Sequence, residues 1–353
     1  MSGAVHTAPG ATRRLPRIPR AALPQIIALV AILAIDRAVS PGFFDIRMSG
    51  GRLFGSVIDV LNHGAPVAML SLGMVLVIAT GGIDLSVGAV MAISGAVAAT
   101  LAGEPLAITI GAALLIGLVC GIWNGILVAF LRIQPIVATL ILMVAGRGVA
   151  QLITGGRILT FSAPGLSWFG GGSVLGVPAA VVVTAGAIVV TGLLVRGTAL
   201  GLMVEATGGN ARASRLAGIE TRGMTVAVYA WSGVCAAVAG ILAAADILGA
   251  DANNAGLYLE LDAILAVVIG GTSLLGGRFS IGLAVVGALI IQSMNTGILL
   301  SGLPAEFNLV VKAVVVLAVL LAQAPRLRRV FARSAAPPKA TEPAPARQQG
   351  AQP

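Results

Sequence analysis

Few residues of this chain are equipped for bond-making chemistry. Among 353 residues there are two histidines and two cysteines. His6 lies in a polar N-terminal stretch, His63 stands alone, and Cys120 and Cys235 each sit inside an apolar run. None falls at metal-ligand spacing, no phosphate-cradling loop is present, and no nucleophile and base converge, so neither catalysis nor a metal site is expected. What remains is a set of polar groups embedded in hydrocarbon, which are costly to place there and therefore informative. Asp84 and Ser86 follow Gly81-Gly82 between two apolar runs. Asn124 adjoins Trp123, Asn295 adjoins Met294, and Arg147 is followed four residues later by Gln151.

Each of these has two readings. Asp84 or Ser86 can cap the helix that follows by accepting from its free N–H groups, or the broken helix can line a transport pathway or its gate. A lone arginine at mid-membrane costs about 2.5–3.5 kcal/mol on insertion scales, so Arg147 must face protein or water. It shares a helical face with Gln151, and the pair is either a solute contact or an anchor for a neighbouring loop. Asn124 and Asn295 either bond between helices or meet the hydroxyls of a sugar-like solute.

The elements that must position these groups follow from hydropathy. The chain is 58% hydrophobic and 10% charged with a mean hydropathy of +1.01, far from a soluble domain. An all-α polytopic membrane protein of about ten transmembrane helices is expected. The 47 glycines suit close helix approach. The formal charge of +9 does not point to nucleic acid, because the arginines flank apolar segments, where they orient the chain and meet lipid headgroups.

A basic stretch, 1–20, precedes a first apolar run at 21–39. A signal peptide is disfavoured by Asp36 and Arg37 beside the only plausible cleavage site, so the basic end is expected to stay in the cytoplasm. Polar residues 41–64 are expected outside, followed by crossings at 65–80, 87–102, 106–131, 136–154 and 177–195, with 157–176 outside. After the polar stretch 196–223 come a crossing at 224–245, an outer or re-entrant segment at 246–262, a short apolar run at 263–269, and crossings at 282–292 and 310–324. Residues 21–324 are read as one transmembrane domain. The Ala/Pro/Gln-rich tail 325–353 has too little apolar content to fold and is expected to be disordered and cytoplasmic.

Two glycine-rich interruptions, at 81–82 and 270–277, fall in the earlier and later halves, a pairing that points to a transport pathway. The stretch 196–223 is the longest charged segment between apolar runs. Within it, residues 211–216 form a short amphipathic helix, entered by a turn at Gly208-Gly209 and ended at Gly218. It is either a docking element or a plain topogenic loop.

The run GMVLVIATGGIDLSVG at 73–88 resembles the ribose/xylose/arabinose branch of bacterial ATP-binding-cassette (ABC) sugar-importer permeases. The run GNARASRLAGI at 209–219 is similar to that family's coupling loop, and AVVIGGTSLLGG at 266–277 to its later glycine-rich break; the likeness covers about 25–324. Leu202 stands where the family usually has a basic residue, and Ser214 where alanine is usual. The runs at 134–148, 249–257 and 294–297 are most similar to the galactofuranose-importing branch.

The resemblance implies a permease subunit of the bacterial inner membrane, multi-pass, with both termini cytoplasmic. It also implies an ATP-binding subunit, a periplasmic sugar-binding protein and a second, different permease as partners, together with membrane lipids and no nucleic acid. The chain itself would bind no cofactor, with ATP and Mg held by the partner ATPase. By this likeness Gly209, Asn210, Arg212, Arg215 and Leu216 couple to the ATPase, with Glu205 of the same polar stretch; Asp84, Ser86, Asn124, Arg147, Gln151 and Asn295, polar groups within apolar runs, are the pathway candidates. A stand-alone ion-coupled secondary carrier, with Asp84 as coupling carboxylate, is the alternative.

Overall fold

A computed structural model describes residues 22–304 and 307–323. The basic N-terminus expected at 1–20 and the tail expected at 325–353 lie outside these. The chain is mostly helical, in the order α1 (Leu23–Val39), β1 (Arg47–Ser49), β2 (Arg52–Phe54), α2 (Ser56–Ala79), α3 (Val87–Thr100), α4 (Leu106–Ala129) and α5 (Pro135–Thr154). Then follow β3 (Leu159–Thr160), α6 (Pro164–Gly171), β4 (Ser173–Val174), β5 (Val177–Pro178), α7 (Ala179–Arg196), α8 (Leu200–Leu216) and α9 (Thr221–Asp246). The last are β6 (Gly249–Ala250), α10 (Leu259–Ile269), α11 (Ile281–Leu300) and α12 (Phe307–Gln323).

The strands qualify the all-α expectation slightly. They form three two-stranded antiparallel pairs, β1 with β2, β3 with β6 and β4 with β5. By contacts the chain divides into residues 1–307 and 308–353, a boundary inside the 21–324 range expected as one domain. Six helices among the described residues, α2, α4, α5, α7, α9 and α11, are long and apolar enough to cross a membrane. The expected ten are thus not all full-length spans. Of the others, α3 and α10 adjoin irregular backbone at 80–86 and 270–280, which is tolerated at membrane depth only where protein buries it.

The core is built around α2, α3 and α9. Nearly every residue of α3 and most of α2 and α9 are buried, whereas α4, α5 and α7 bury only narrow stripes. Small residues set the helix spacing. Gly117, Gly121 and Gly125 put one bare face of α4 on α9, where an added Cβ would lie 2.4 Å from the Gly233 carbonyl, 2.3 Å from the Tyr229 carbonyl and 2.7 Å from the Val226 Cα. Without a hydrophobic force between helices in lipid, such close packing supplies the attraction.

Three local expectations are corrected. The second helix begins at Ser56, not near 65, with Asp59 in its first turn, where a carboxylate suits the positive end of the helix dipole. The segment 157–176 contains the short helix α6. Gly208 and Gly209 lie within α8 and do not turn the chain; the kink falls at Asn210 (φ −160°, ψ 95°). Asn210 Oδ1 accepts the N–H groups of Arg212 at 3.1 Å and Ala213 at 2.9 Å, so its short amide side chain restarts the helix as a cap. Gly218, at φ +88°, follows the end of that second half, as expected.

Candidate functional site

Three polar features lie along the bundle. The first is a buried cluster at the break between α2 and α3. Asp84 Oδ1 accepts the Ser86 N–H at 3.0 Å and the Ser86 hydroxyl at 2.6 Å, and Oδ2 accepts the Ser232 hydroxyl at 3.0 Å. Asn124 Nδ2 donates to Ser86 Oγ at 2.8 Å. All four side chains are buried. Ser86 occupies the N-cap position of α3 but makes no side-chain bond to it; its hydroxyl donates to Asp84 and accepts from Asn124 instead. From α5, the Thr139 hydroxyl accepts the Leu85 N–H at 3.1 Å. The cluster therefore ties the break to α4, α5 and α9, and a buried carboxylate with three donors is well satisfied.

Asp84, Ser86 and Asn124, singled out in the sequence, are brought together. Ser232 and Thr139 were missed: a hydroxyl residue in an apolar helix can always bond back to its own carbonyls, so nothing local distinguished them.

The second feature is a cavity of about 400 Å³ at the end of the bundle that carries the N-terminus of α2 and the C-terminus of α9. That volume is within the range of small-molecule sites. Its polar lining includes Asn62, His63, Gln292, Asp246, Asp251 and Asn254. Asn62 is 7% exposed and its Oδ1 has no partner. One turn on, Pro66 lies inside α2; lacking an N–H, it leaves the Asn62 carbonyl without its helical donor. The Asn62 amide oxygen is an unpaired acceptor on a residue that lines the cavity. His63 Nδ1 lies 3.5 Å from Asp246 Oδ2. The Asn254 amide, with the N–H groups of Asn253 and Asn254, holds the Asp251 carboxyl below the usual carboxylate range. None of these lining residues was a sequence candidate.

Arg147 and Gln151 stand behind this cavity. Arg147 Nη1 donates to the Ala255 carbonyl, Gln151 Nε2 donates to Asn253 Oδ1 at 3.0 Å, and Asn253 Nδ2 donates to the Gly156 carbonyl at 3.3 Å. With the β3–β6 pair, these bonds fasten to α5 the segment that contributes Asp251, Asn254, Ala255 and Gly256 to the wall. Asn295 joins neither group; its Oδ1 is buried without a partner.

The third feature is the opposite end, where α8 and the starts of α5 and α9 meet. Leu216 is 86% exposed. Arg212 and Arg215 are also exposed, while Ser214 is buried. Arg215 shares a cleft of about 700 Å³ with Phe130, Arg132, Glu220 and Arg222. The Arg222 guanidinium lies 5.8 Å from the centre of the Phe130 ring, and Glu220 caps α9 through the N–H groups of Arg222 and Gly223. Glu205, on the first half of α8, faces a separate cleft with Arg196. Gly209 meets open space.

A family model described as branched-chain amino acid transport system / permease component matches residues 56–320. The galactofuranose transporter permease protein YtfT of Escherichia coli (strain K12) is 62% identical over 306 residues, covering 86% of this chain and 90% of the relative. The fructose import permease protein FruF of Bifidobacterium longum (strain NCC 2705) is 43% identical over 87% of this chain and 88% of its own. The ribose import permease protein RbsC of Escherichia coli (strain K12) is 38% identical, over 84% and 91%. No solved structure matches the chain.

Proposed function

Since the chain belongs to the family of branched-chain amino acid transport system permease components, we propose that it is the membrane subunit through which an ATP-driven importer passes galactofuranose or a related sugar. It is a permease subunit of an ABC sugar importer and not itself an enzyme. Its relatives, named for sugar import and transport, set aside the ion-coupled carrier that the sequence alone left open. It is a multi-pass inner-membrane protein, and membership of such systems implies an ATPase and a substrate-binding partner.

The arginine-rich end of α8 faces the cytoplasm, as charge bias favours, and both termini lie on that side. The six long spans and four shorter helices, α1, α3, α10 and α12, make ten crossings. A second, different permease completes the pathway, and this chain binds no cofactor, ATP and Mg being held by the ATPase. The ~400 Å³ cavity receives sugar on the outer side. Its acceptor-rich lining suits hydroxyls, and the Asp84 cluster braces the broken helix beneath it.

The observation that carries this reading is the exposed end of α8, a capped, kinked helix that presents Leu216, 86% exposed, among arginines, an arrangement that suits a partner surface. The test is reconstitution of the permease with its ATPase, binding protein and second permease. Uptake of labelled sugar should require ATP and persist when ion gradients are dissipated. Uptake that follows the gradient and ignores ATP would sink the reading.

Arg147 yields a separate expectation. Arg147→Met keeps length and apolar compatibility but removes the guanidinium donor to the Ala255 carbonyl, loosening the cavity wall without opening the core. The complex should remain in the membrane at near-normal amount while sugar uptake falls several-fold. Loss of the protein from the membrane at normal synthesis would make Arg147 an anchor for folding rather than a support for the transport site.

A further inference from the structure

Both glycine breaks and the coupling helix meet at one point through main chain alone. The Gly277 N–H donates to the Ala79 carbonyl at 2.9 Å, joining the second break to the last residue of α2, where helix-end carbonyls need outside donors. Gly208, in the first half of α8, lies against the same spot. A Cβ added there would fall 1.8 Å from the Ala79 oxygen and 2.7 Å from the Gly277 nitrogen. A Cβ on Gly276, whose φ is +88°, would fall 3.0 Å from both the Gly208 oxygen and the Gly81 nitrogen. Asp84 and its partners begin only a few residues beyond Gly81.

We propose that this junction of Gly208, Ala79 and Gly276-Gly277 is the rigid link that carries motion of the ATPase-docked α8 to the two broken helices, with Gly208 as its key positioning residue. The inference rests on the importer reading above. Side-chain contacts yield by rotamer changes, whereas main chain packed on main chain has no such slack, and packed interfaces shift between discrete arrangements rather than deforming smoothly. The exposed half of α8 beyond Asn210 is joined to the junction by a single kinked residue. A push received at Leu216 therefore reaches the end of α2 and the 270–280 segment together, and one stroke acts on both breaks.

Gly208→Ala separates this from helix propensity. Inside a helix the change from Gly to Ala is favourable by about 1 kcal/mol, so a residue with propensity alone at stake would gain. The junction reading expects the opposite: the ATPase subunit stays bound and basal hydrolysis continues, while sugar-stimulated hydrolysis and uptake fall at least tenfold. Gly282→Ala, at a helix glycine with nothing within 4 Å of its added Cβ, should behave as wild type. Wild-type coupling in Gly208→Ala overturns the proposal.

A second measurement holds even if Gly208→Ala fails to assemble. In a background with Cys120→Ala and Cys235→Ala, Gly209→Cys and Leu275→Cys are joined by a short flexible bis-maleimide. Leu275 is 89% exposed. If the two segments travel as one, cross-linking proceeds in every nucleotide state and leaves sugar-stimulated hydrolysis at its level before cross-linking. Failure to cross-link, or loss of stimulation on cross-linking, overturns the proposal. Absence of sugar-stimulated hydrolysis in the unmodified complex would fail the importer reading instead.

Discussion

Leu216→Asp is expected to release the ATPase subunit from the purified complex and abolish uptake. Leu216 is 86% exposed in the isolated chain, yet its helix is held in place by Asn210 capping at one end and by the Gly218 N–H to the Arg215 carbonyl at 3.0 Å at the other. On the proposed importer reading, a side chain so presented enters the ATPase's cleft. Removing a leucine contact buried there costs about 2–5 kcal/mol, or roughly 30-fold to 4,000-fold in affinity, and aspartate adds an unpaired charge to the loss.

Arg212 and Arg215 are exposed at the rim, where one charge is worth about 0–1 kcal/mol. Arg212→Ala should accordingly keep the ATPase attached and reduce only sugar-stimulated hydrolysis. Pull-down of the ATPase with each variant is the measurement. Full retention with Leu216→Asp, together with normal uptake, would show the stretch to be a topogenic loop.

The second large effect is at Asp84, where two substitutions should diverge. Asp84→Ala removes the acceptor for the Ser86 N–H and for the hydroxyls of Ser86 and Ser232. The hydroxyls can turn to other acceptors; the main-chain N–H cannot. An unsatisfied buried group costs about 1–3 kcal/mol, a large part of a typical margin of about 5–15 kcal/mol. Steady-state protein in the membrane should fall several-fold. Asp84→Asn keeps an acceptor for Ser86, and its amide can donate to Ser232 Oγ once that hydroxyl rotates. It should assemble at near-normal amount and retain much of its ATP-driven uptake, as measured by immunoblot and labelled sugar. Normal protein with no uptake in Asp84→Asn would mean that the negative charge takes part in transport, and the bracing role would be abandoned.

Much of this molecule is legible without coordinates, for a local reason. The membrane class and most of the long spans follow from hydropathy, which is a property of consecutive residues. The interruptions at Gly81-Gly82 and 270–277 and the end of α8 at Gly218 follow from backbone chemistry that a residue carries wherever it stands. The motifs at 73–88 and 209–219 added the family. The same logic misplaced the turn into the short helix, because Gly208 and Gly209 look like breakers. In the structure Gly208 is glycine for close approach, not for bending, and Asn210 does the bending.

What tertiary structure alone decided is which faces meet. The helices are so evenly apolar that no stripe marks an inward side, and small residues pack equally well in many pairings. Ser232 reaches Asp84 across 148 residues of sequence, and Arg147 reaches the Ala255 carbonyl across 108. Asn62 and Gln292 come to one cavity from helices in different halves of the chain. Arg147 and Gln151, readable as polar intruders, needed the fold to set them behind a cavity wall. Ala79, Gly208 and Gly277 carry no distinguishing side chain at all, so the contact among their main chains exists only once the helices are packed.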